Sequence, residues 1–514
     1  MKIDRIKNAS RNMAFGGLMK LYQIVVPFLM RTAMIYLMGE QYLGLNSLFV
    51  SILQVLNIAE SGVGSAMVYS MYKPIAEDDK STICALLRQY RKYYYIIGFI
   101  IAAVGITLTP FIPKLVKSDL PGGLNIYILY LLNLVVTVLS YWVFAYKGSL
   151  LQAHQRVDII SKITISVSTI QYSVQIFVLV FLKNYYMYVI AALVMQILTN
   201  IATAFAADYM YPNYKPVGKL SEKEILDINC RIRDLFTSKM GGIVVNSVDT
   251  IVVSSFLGLS MLAVYQNYFF ILSSVIGFVM IVFTACTAGI GNSIIVETKE
   301  KNYNDLKNFT FIITWISGFC TVCLLCLYQP FMDVWVGERL KLEYSAVICF
   351  CIYYFIYEIN LLLNTYKDAA GIWHEDRFRP LITAFMNLVM NLVMVQFWGI
   401  YGVILSTVLS MLFVGMPWLL YNLFTVLFDI RDLPPYLKRL GFYVVVTSFT
   451  CFVTVVVCSF IHMKGWHLLI ARGLVCCVLP NLLYLVFYWK LPEFRQSLQL
   501  ADAMLKKGKA NDRD

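Results

Sequence analysis

Ionisable side chains set inside long apolar runs are the first residues of this sequence with chemistry to offer. Arg31 stands eight residues before Gly39, and Lys20 stands eleven residues before Arg31, in a run otherwise rich in Leu, Val, Met and Phe. Glu60, Asp249 and Glu358 hold similar positions in three further runs. A charge near the middle of a bilayer costs roughly 3 kcal/mol or more, so each such residue is a functional candidate by default. The planar fork of a guanidinium fits phosphate or carboxylate, an ammonium acts as a point charge, and a carboxyl group takes up a proton or a cation.

Each candidate also has a structural reading. At about 1.5 Å per residue Arg31 lies some 12 Å below the end of its helix, too deep for easy escape to water. It follows Pro27 by one turn, where the missing N–H frees the carbonyl of Gln23 and a kink is expected. Arg31 therefore either meets an anion from a cavity or neutralises a neighbouring carboxylate. Lys20, nearer its helix end, also reaches the interface by snorkelling. The second apolar run carries Asn46, Asn57, Glu60 and Gly64 on one side and Ser47, Ser51, Gln54, Ser61 and Ser65 on the adjoining side. A face this polar either lines a water-filled cavity or packs closely on another helix, and it cannot face lipid. Gly242, Asn246 and Asp249 repeat the pattern in the seventh run, and Glu358 in the tenth run has Tyr354 one turn away. For the acids, a structural ion pair and a site for a coupling ion, H⁺ or Na⁺, are equally open. One arrangement would serve both readings: Arg31 paired with Asp249 until an incoming anion displaces the carboxylate.

The elements that position these residues are membrane helices. The chain has 514 residues, 59% hydrophobic and 14% charged, and its mean hydropathy is +0.69; a soluble surface needs about a quarter of residues charged. Apolar runs fall at about 14–38, 42–69, 93–112, 123–145, 159–181, 186–208, 239–257, 262–288, 308–328, 344–365, 380–398, 400–427, 440–462 and 468–489. They predict an all-α, polytopic membrane protein of about fourteen helices. The first run is too long for the apolar core of a signal peptide and is expected to stay as a helix. If the N-terminus is cytoplasmic, 33 of the 42 Lys and Arg fall in cytoplasmic segments, seven in external loops, and two within the first helix. This asymmetry places both termini in the cytoplasm and assigns the net charge of +12 to the membrane surface, not to nucleic acid.

The long link at 209–238 divides the chain, giving lobes at 1–219 and 220–428, followed by two more helices and a basic tail at 429–514. A weak internal echo supports the division. Gly39 and Gly44 resemble Gly258 and Ala263, and Gly62-Val63-Gly64-Ser65 resembles Gly289-Ile290-Gly291-Asn292. The loop from Lys367 to Arg379, with Trp373, Arg377 and Phe378, is expected to anchor in the anionic headgroup layer. The Lys506-Lys507-Gly508-Lys509 run is expected to be a solvated tail attracted to the membrane.

Enzymatic machinery is not legible. The histidines His154, His374, His462 and His467 are scattered, no HExxH or paired-carboxylate motif occurs, and the external loops are short. No catalytic residue, cofactor or resident metal is expected. Most of the twelve cysteines lie in apolar runs, as small hydrophobes do, and no disulfide framework is expected. Cys320, Cys323 and Cys326 have a metal-like spacing, but they share one face of an apolar helix without a nearby His, so helix packing is the expected role.

Several segments carry a family resemblance. Arg31-Thr32, Tyr42-Leu43-Gly44-Leu45-Asn46, Ala59-Glu60-Ser61-Gly62-Val63-Gly64-Ser65-Ala66, Tyr72-Lys73-Pro74-Ile75-Ala76, Asn246-Ser247-Val248-Asp249-Thr250 and the loop from Lys367 to Pro380 occur in order along nearly the whole chain. Together they resemble the polysaccharide transporter (Wzx-like flippase) branch of the multidrug/oligosaccharidyl-lipid/polysaccharide exporter superfamily. The resemblance implies two six-helix bundles around a central cavity, alternating access, and undecaprenyl-pyrophosphate-linked oligosaccharide as the partner. It implies a bacterial cytoplasmic membrane location, and a monomer that associates at most with other polysaccharide-assembly proteins. Cavity roles would fall to Arg31, Lys20, Glu60, Asn57, Gln54, Asn246, Asp249 and Glu358, with Arg31 gripping the pyrophosphate. In the related lipid II flippases two extra C-terminal helices form a groove for the lipid tail, a role open to the last two helices here. The rivals are a multidrug antiporter of the same fold and, from another class, a membrane-embedded glycosyltransferase or polymerase. A buried Arg favours an anionic substrate over the antiporter's organic cations.

Overall fold

A computed structural model describes residues 5–117 and 120–499. The Lys506-Lys507-Gly508-Lys509 run lies outside the described residues. Every described element is helical, as backbone groups in lipid require, because a helix satisfies its own N–H and C=O groups. The chain packs as two units, Met1–Gln266 and Asn267–Asp514.

The first unit holds α1 (Arg5–Leu37), α2 (Glu40–Leu56), α3 (Val63–Ala76), α4 (Lys80–Leu108), α5 (Ile126–Trp142), α6 (Gly148–Ala153), α7 (Val157–Phe177), α8 (Tyr185–Met210) and α9 (Glu222–Leu257). Helix α10 (Leu259–Val296) starts there and continues into the second unit. The second unit adds α11 (Lys299–Trp335), α12 (Tyr344–Ala370), α13 (Arg379–Trp398), α14 (Ile400–Ser410), α15 (Met416–Val426), α16 (Leu433–Ser459) and α17 (Gly465–Tyr488). A single π turn, Met411–Gly415, joins α14 to α15.

Among the described residues, thirteen helices are long and apolar enough to cross a membrane. The α5–α6 pair, bent by 47° at its break, supplies a fourteenth if it forms one span. This agrees with the fourteen apolar runs. Several helices outrun their apolar cores: α9 begins at Glu222, where an expected start at 239 marked only the end of the charged stretch. Its extension is a capping box, Ser221 and Glu224 exchanging bonds across the first turn. Likewise α4 begins at Lys80, not 93, because Asp79 caps it. The Asp79 carboxylate accepts from the Thr82 hydroxyl at 2.6 Å, the Ser81 hydroxyl at 2.7 Å and the Thr82 N–H at 3.1 Å. These bonds hold its pKa down to about 2.

Helix α1 is continuous through Pro27, so the expected kink does not interrupt it. The second apolar run, expected as one helix over 42–69, is instead broken. Helix α2 ends at Leu56, a 3₁₀ turn covers Asn57–Glu60, and Gly62 has the positive φ of +98° from which α3 departs. Part of the internal echo is visible in the backbone. Gly39 and Gly258, each just before the helix that follows, share φ/ψ near +113°/160° and +92°/174°. A side chain on Gly44 would put Cβ 2.2 Å from the Leu259 carbonyl oxygen, so α2 and the start of α10 touch backbone to backbone.

Candidate functional site

The break in the second span is the most developed polar feature of the first unit. Its 3₁₀ turn presents Asn57 and Glu60 toward α4 and α5, where tyrosines receive them. Tyr94 donates to Glu60 Oε1 at 3.2 Å, and the Tyr90 and Tyr94 hydroxyls, one turn apart on α4, lie 2.6 Å from each other. Tyr141 donates to Asn57 Oδ1 at 3.1 Å, and its ring meets that of Tyr94 edge-on at 5.4 Å. Gly64 leaves room for this cluster, since a Cβ there would stand 3.0 Å from Glu60 Oε1 and 3.1 Å from the Tyr90 hydroxyl. Lys239 of α9 donates to Ser65 at 3.2 Å, placing a cation beside the same turn. Glu60 is thus neither buried alone nor held in a tight ion pair among the described residues. The Tyr94 hydroxyl supports it, and the site remains partly open.

Arg31 and Asp249 approach consecutive residues of α10. The Arg31 guanidinium donates to the Gln266 carbonyl at 3.5 Å, and Gln266 in turn donates from its side chain to Thr250 at 2.8 Å. Tyr265 donates to Asp249 at 3.4 Å. Tyr188, stacked on Tyr185 with ring centroids 5.8 Å apart, lies within electrostatic reach of Arg31. Lys20 and Gln54 are exposed, and the Asn246 side chain lies outside the described residues.

A second cationic feature of this unit is a groove of about 750 Å³ lined by Arg88, Arg91, Lys92 and Lys219 together with Tyr95. Arg88 is anchored by donating to the Gly218 carbonyl at 2.7 Å. Basic side chains around a groove beside membrane helices form a field suited to anionic headgroups or phosphates.

In the second unit, Glu358 of α12 is fully buried, and neither carboxyl oxygen has a hydrogen-bond partner among the described residues. A charge there would stand uncompensated. Asp376 has the opposite environment. Arg379 reaches it with two bonds of 2.6 and 2.7 Å, Lys367 lies at 3.6 Å, and Asn422 of α15 donates at 3.1 Å. Arg379 also donates to Asn364 at 2.8 Å. Lys367, Asp376, Arg379 and Asn422 are all buried, so both ends of the segment read as a headgroup anchor belong to an internal charge network. Sequence spacing could not reveal this, because an Asp and Arg three residues apart look the same on a surface. Trp373 and Phe378 of the same segment are exposed, with the Arg377 guanidinium 4.6 Å above the Phe378 ring.

Of the expected cavity residues, the structure therefore joins Asn57 with Glu60 at the break and brings Arg31 and Asp249 to neighbouring residues of α10. Glu358 stands apart in the second unit. Sequence reasoning missed Tyr90, Tyr94 and Tyr141. The available signal was the pair of tyrosines at helical spacing in Tyr90-Arg91-Lys92-Tyr93-Tyr94, hidden by the basic residues between them.

Solved structures share this architecture. The chain is similar to the lipid II flippase MurJ in an inward closed conformation, at 16% identity and a TM-score of 0.62 over 93% of this chain and 99% of that one. It is also similar to an inward-facing multidrug resistance MATE family transporter of the MOP superfamily, at 13% identity and a TM-score of 0.58 over 81% and 99% of the two chains. A MOP superfamily transporter from Pyrococcus furiosus matches at 13% identity and a TM-score of 0.51, over 81% of this chain and 94% of that one. No protein-family model and no curated protein matches the sequence. The likeness establishes the fold: a multi-pass helical chain built as these transporters and flippases are.

Proposed function

Starting from a chain with the fold of the MOP superfamily transporters, we propose a flippase that moves undecaprenyl-pyrophosphate-linked oligosaccharide across a bacterial cytoplasmic membrane by alternating access. The observation that carries this reading is Arg31. A half-buried guanidinium on an apolar helix, with tyrosines and a backbone carbonyl around it, suits an anionic ligand and repels an organic cation. MurJ, a lipid II flippase, gives the reading a precedent in substrate class. The basic groove at Arg88, Arg91, Lys92 and Lys219 supports it as a place where a phosphate headgroup could first be held. In this reading both termini are cytoplasmic, the lobes run over 1–219 and 220–428, and α16 and α17 offer a surface for the lipid tail. Lys20, Gln54, Asn57, Glu60, Asn246, Asp249 and Glu358 serve the cavity, and Asp249 exchanges with pyrophosphate for Arg31. Reporter fusions at Lys80 and Ser221 should read cytoplasmic, and an external reading at either would overturn the orientation.

A second reading, cation-coupled export of organic molecules, is favoured by Glu358, whose carboxyl has no hydrogen-bond partner among the described residues and is suited to a proton or a cation. Arg31→Ala separates the two. For the flippase, one lost charged contact to phosphate is worth about 2 to 5 kcal/mol, enough to stop export and leave lipid-linked oligosaccharide in the inner leaflet at normal protein level. Arg31→Lys should restore only part of the flux, since a point charge does not reproduce the fork. Unchanged polymer output from the Ala variant would remove Arg31 from the site and the carrying observation with it.

A further inference from the structure

The second unit gathers thiols that the sequence spreads over 151 positions. Cys326 of α11, Cys458 of α16 and Cys476 of α17 bring their sulfur atoms within 4.8 Å of one another. All three are buried, at 3%, 2% and 0% exposure. Cys323, one turn before Cys326, packs against the same cluster with Val322, Leu327 and Val455. Arg472 stands one turn before Cys476, close enough for its charge to act on both Cys458 and Cys476. Its Nε is buried and has no hydrogen-bond partner among the described residues.

Packing alone does not require this composition, because Val or Ala would fill the same space without placing polarisable sulfurs from three helices at one point. The Arg472 Nε is harder still to account for as packing, since a buried polar atom without a partner among the described residues is unfavourable. We propose that Cys326, Cys458 and Cys476 form a trithiolate site for a divalent thiophilic ion of the zinc type, with Arg472 balancing its charge. Zinc–sulfur bonds of about 2.3 Å in a tetrahedral arrangement separate the sulfurs by about 3.8 Å, within the span already present. Binding replaces three S–H bonds by three metal–sulfur bonds and releases three protons, with no change of oxidation state. Three thiolates and a divalent ion carry one net negative charge, which the Arg472 guanidinium cancels; a monovalent ion would leave one charge uncancelled in a low-dielectric interior. A water molecule completes the fourth position, since a fourth thiolate would leave one negative charge uncancelled. The ion ties α16 and α17 to α11, fixing the last two helices to the second unit.

The test uses the full chain in detergent, reduced and stripped of metal, with Co²⁺ as the optical probe and Zn²⁺ as competitor. The expected result is a thiolate-to-metal absorption band that saturates at one Co²⁺ per chain, is abolished by Zn²⁺, and is accompanied by proton release. Single substitutions Cys326→Ser, Cys458→Ser and Cys476→Ser should each weaken binding at least about tenfold, by loss of a first ligand, while Cys320→Ser on the same helix leaves it unchanged. Zn²⁺ should also protect three thiols of the unaltered chain from maleimide, a readout independent of whether the variants fold. Absence of the band from fully reduced chain, a band that survives Cys458→Ser, or peptide mapping of the chain as isolated that finds two of the three sulfurs joined in a disulfide would each overturn the assignment.

Discussion

Two tetrapeptides of similar pattern, Gly62-Val63-Gly64-Ser65 and Gly289-Ile290-Gly291-Asn292, adopt different structures. The first starts a new helix after a break, while the second lies inside the continuous α10. Their surroundings account for the difference. A Cβ on Gly62 would stand 2.7 Å from Leu235 Cβ and 3.1 Å from the Phe236 nitrogen, whereas one on Gly289 would meet nothing within 4 Å among the described residues. Helix α9 is therefore pressed against the first glycine, and the preceding turn is held from the other side by Tyr94 and Tyr141. A glycine pair permits a break, and neighbouring helices decide whether one forms.

The strongest way to break this comparison is Gly62→Ala. The substitution places a side chain at φ +98° and against the α9 backbone, and is expected to cost about 2 kcal/mol or more. Thermal unfolding in detergent measures it; a melting temperature equal to that of the unaltered chain would show that α9 does not impose the break. A smaller effect is expected from Tyr94→Phe, which removes the hydroxyl that donates to Glu60 and should cost about 0.5 to 1.5 kcal/mol. Combining it with Glu60→Gln in a double-mutant cycle should give losses that do not add, and strict additivity would mean the two side chains are not coupled. The smallest effect sharpens the contrast from the other side. Gly289→Ala, in an uncrowded helix interior, should stabilise the chain by up to about 1 kcal/mol. Destabilisation there would indicate that Gly289 is needed in a broken conformation, restoring the equivalence of the two stretches.

The same contrast explains how much was legible beforehand. Bilayer thickness and backbone satisfaction act on every span, so fourteen apolar runs could be read directly, as could Gly39 and Gly258 at their turns. Arg31, Glu60 and Glu358 stood out because charges are rare in such runs. Their partners did not. Tyr90 fell before the expected helix start at 93, and Tyr94 only just within it, because Arg88, Arg91 and Lys92 ended the apolar count, although Asp79 begins the helix a dozen residues earlier. The broken second span, the thiols of three helices and the buried Arg379 all depend on contacts between segments distant in sequence, which local periodicity does not encode.

The charge network around Asp376 bears on how the chain is made as well as on how it stands. If the asymmetry of basic residues orients this hairpin during insertion, Lys367 and Arg379 are among the charges on which it would act. In the folded chain Asp376 and Asn422 close around them, and they are interior fasteners between the end of α12, the start of α13 and α15. Under that rule a signal for orientation would be consumed in locking the segment, and a hairpin with its charges enclosed would have lost the handle by which it could be turned over.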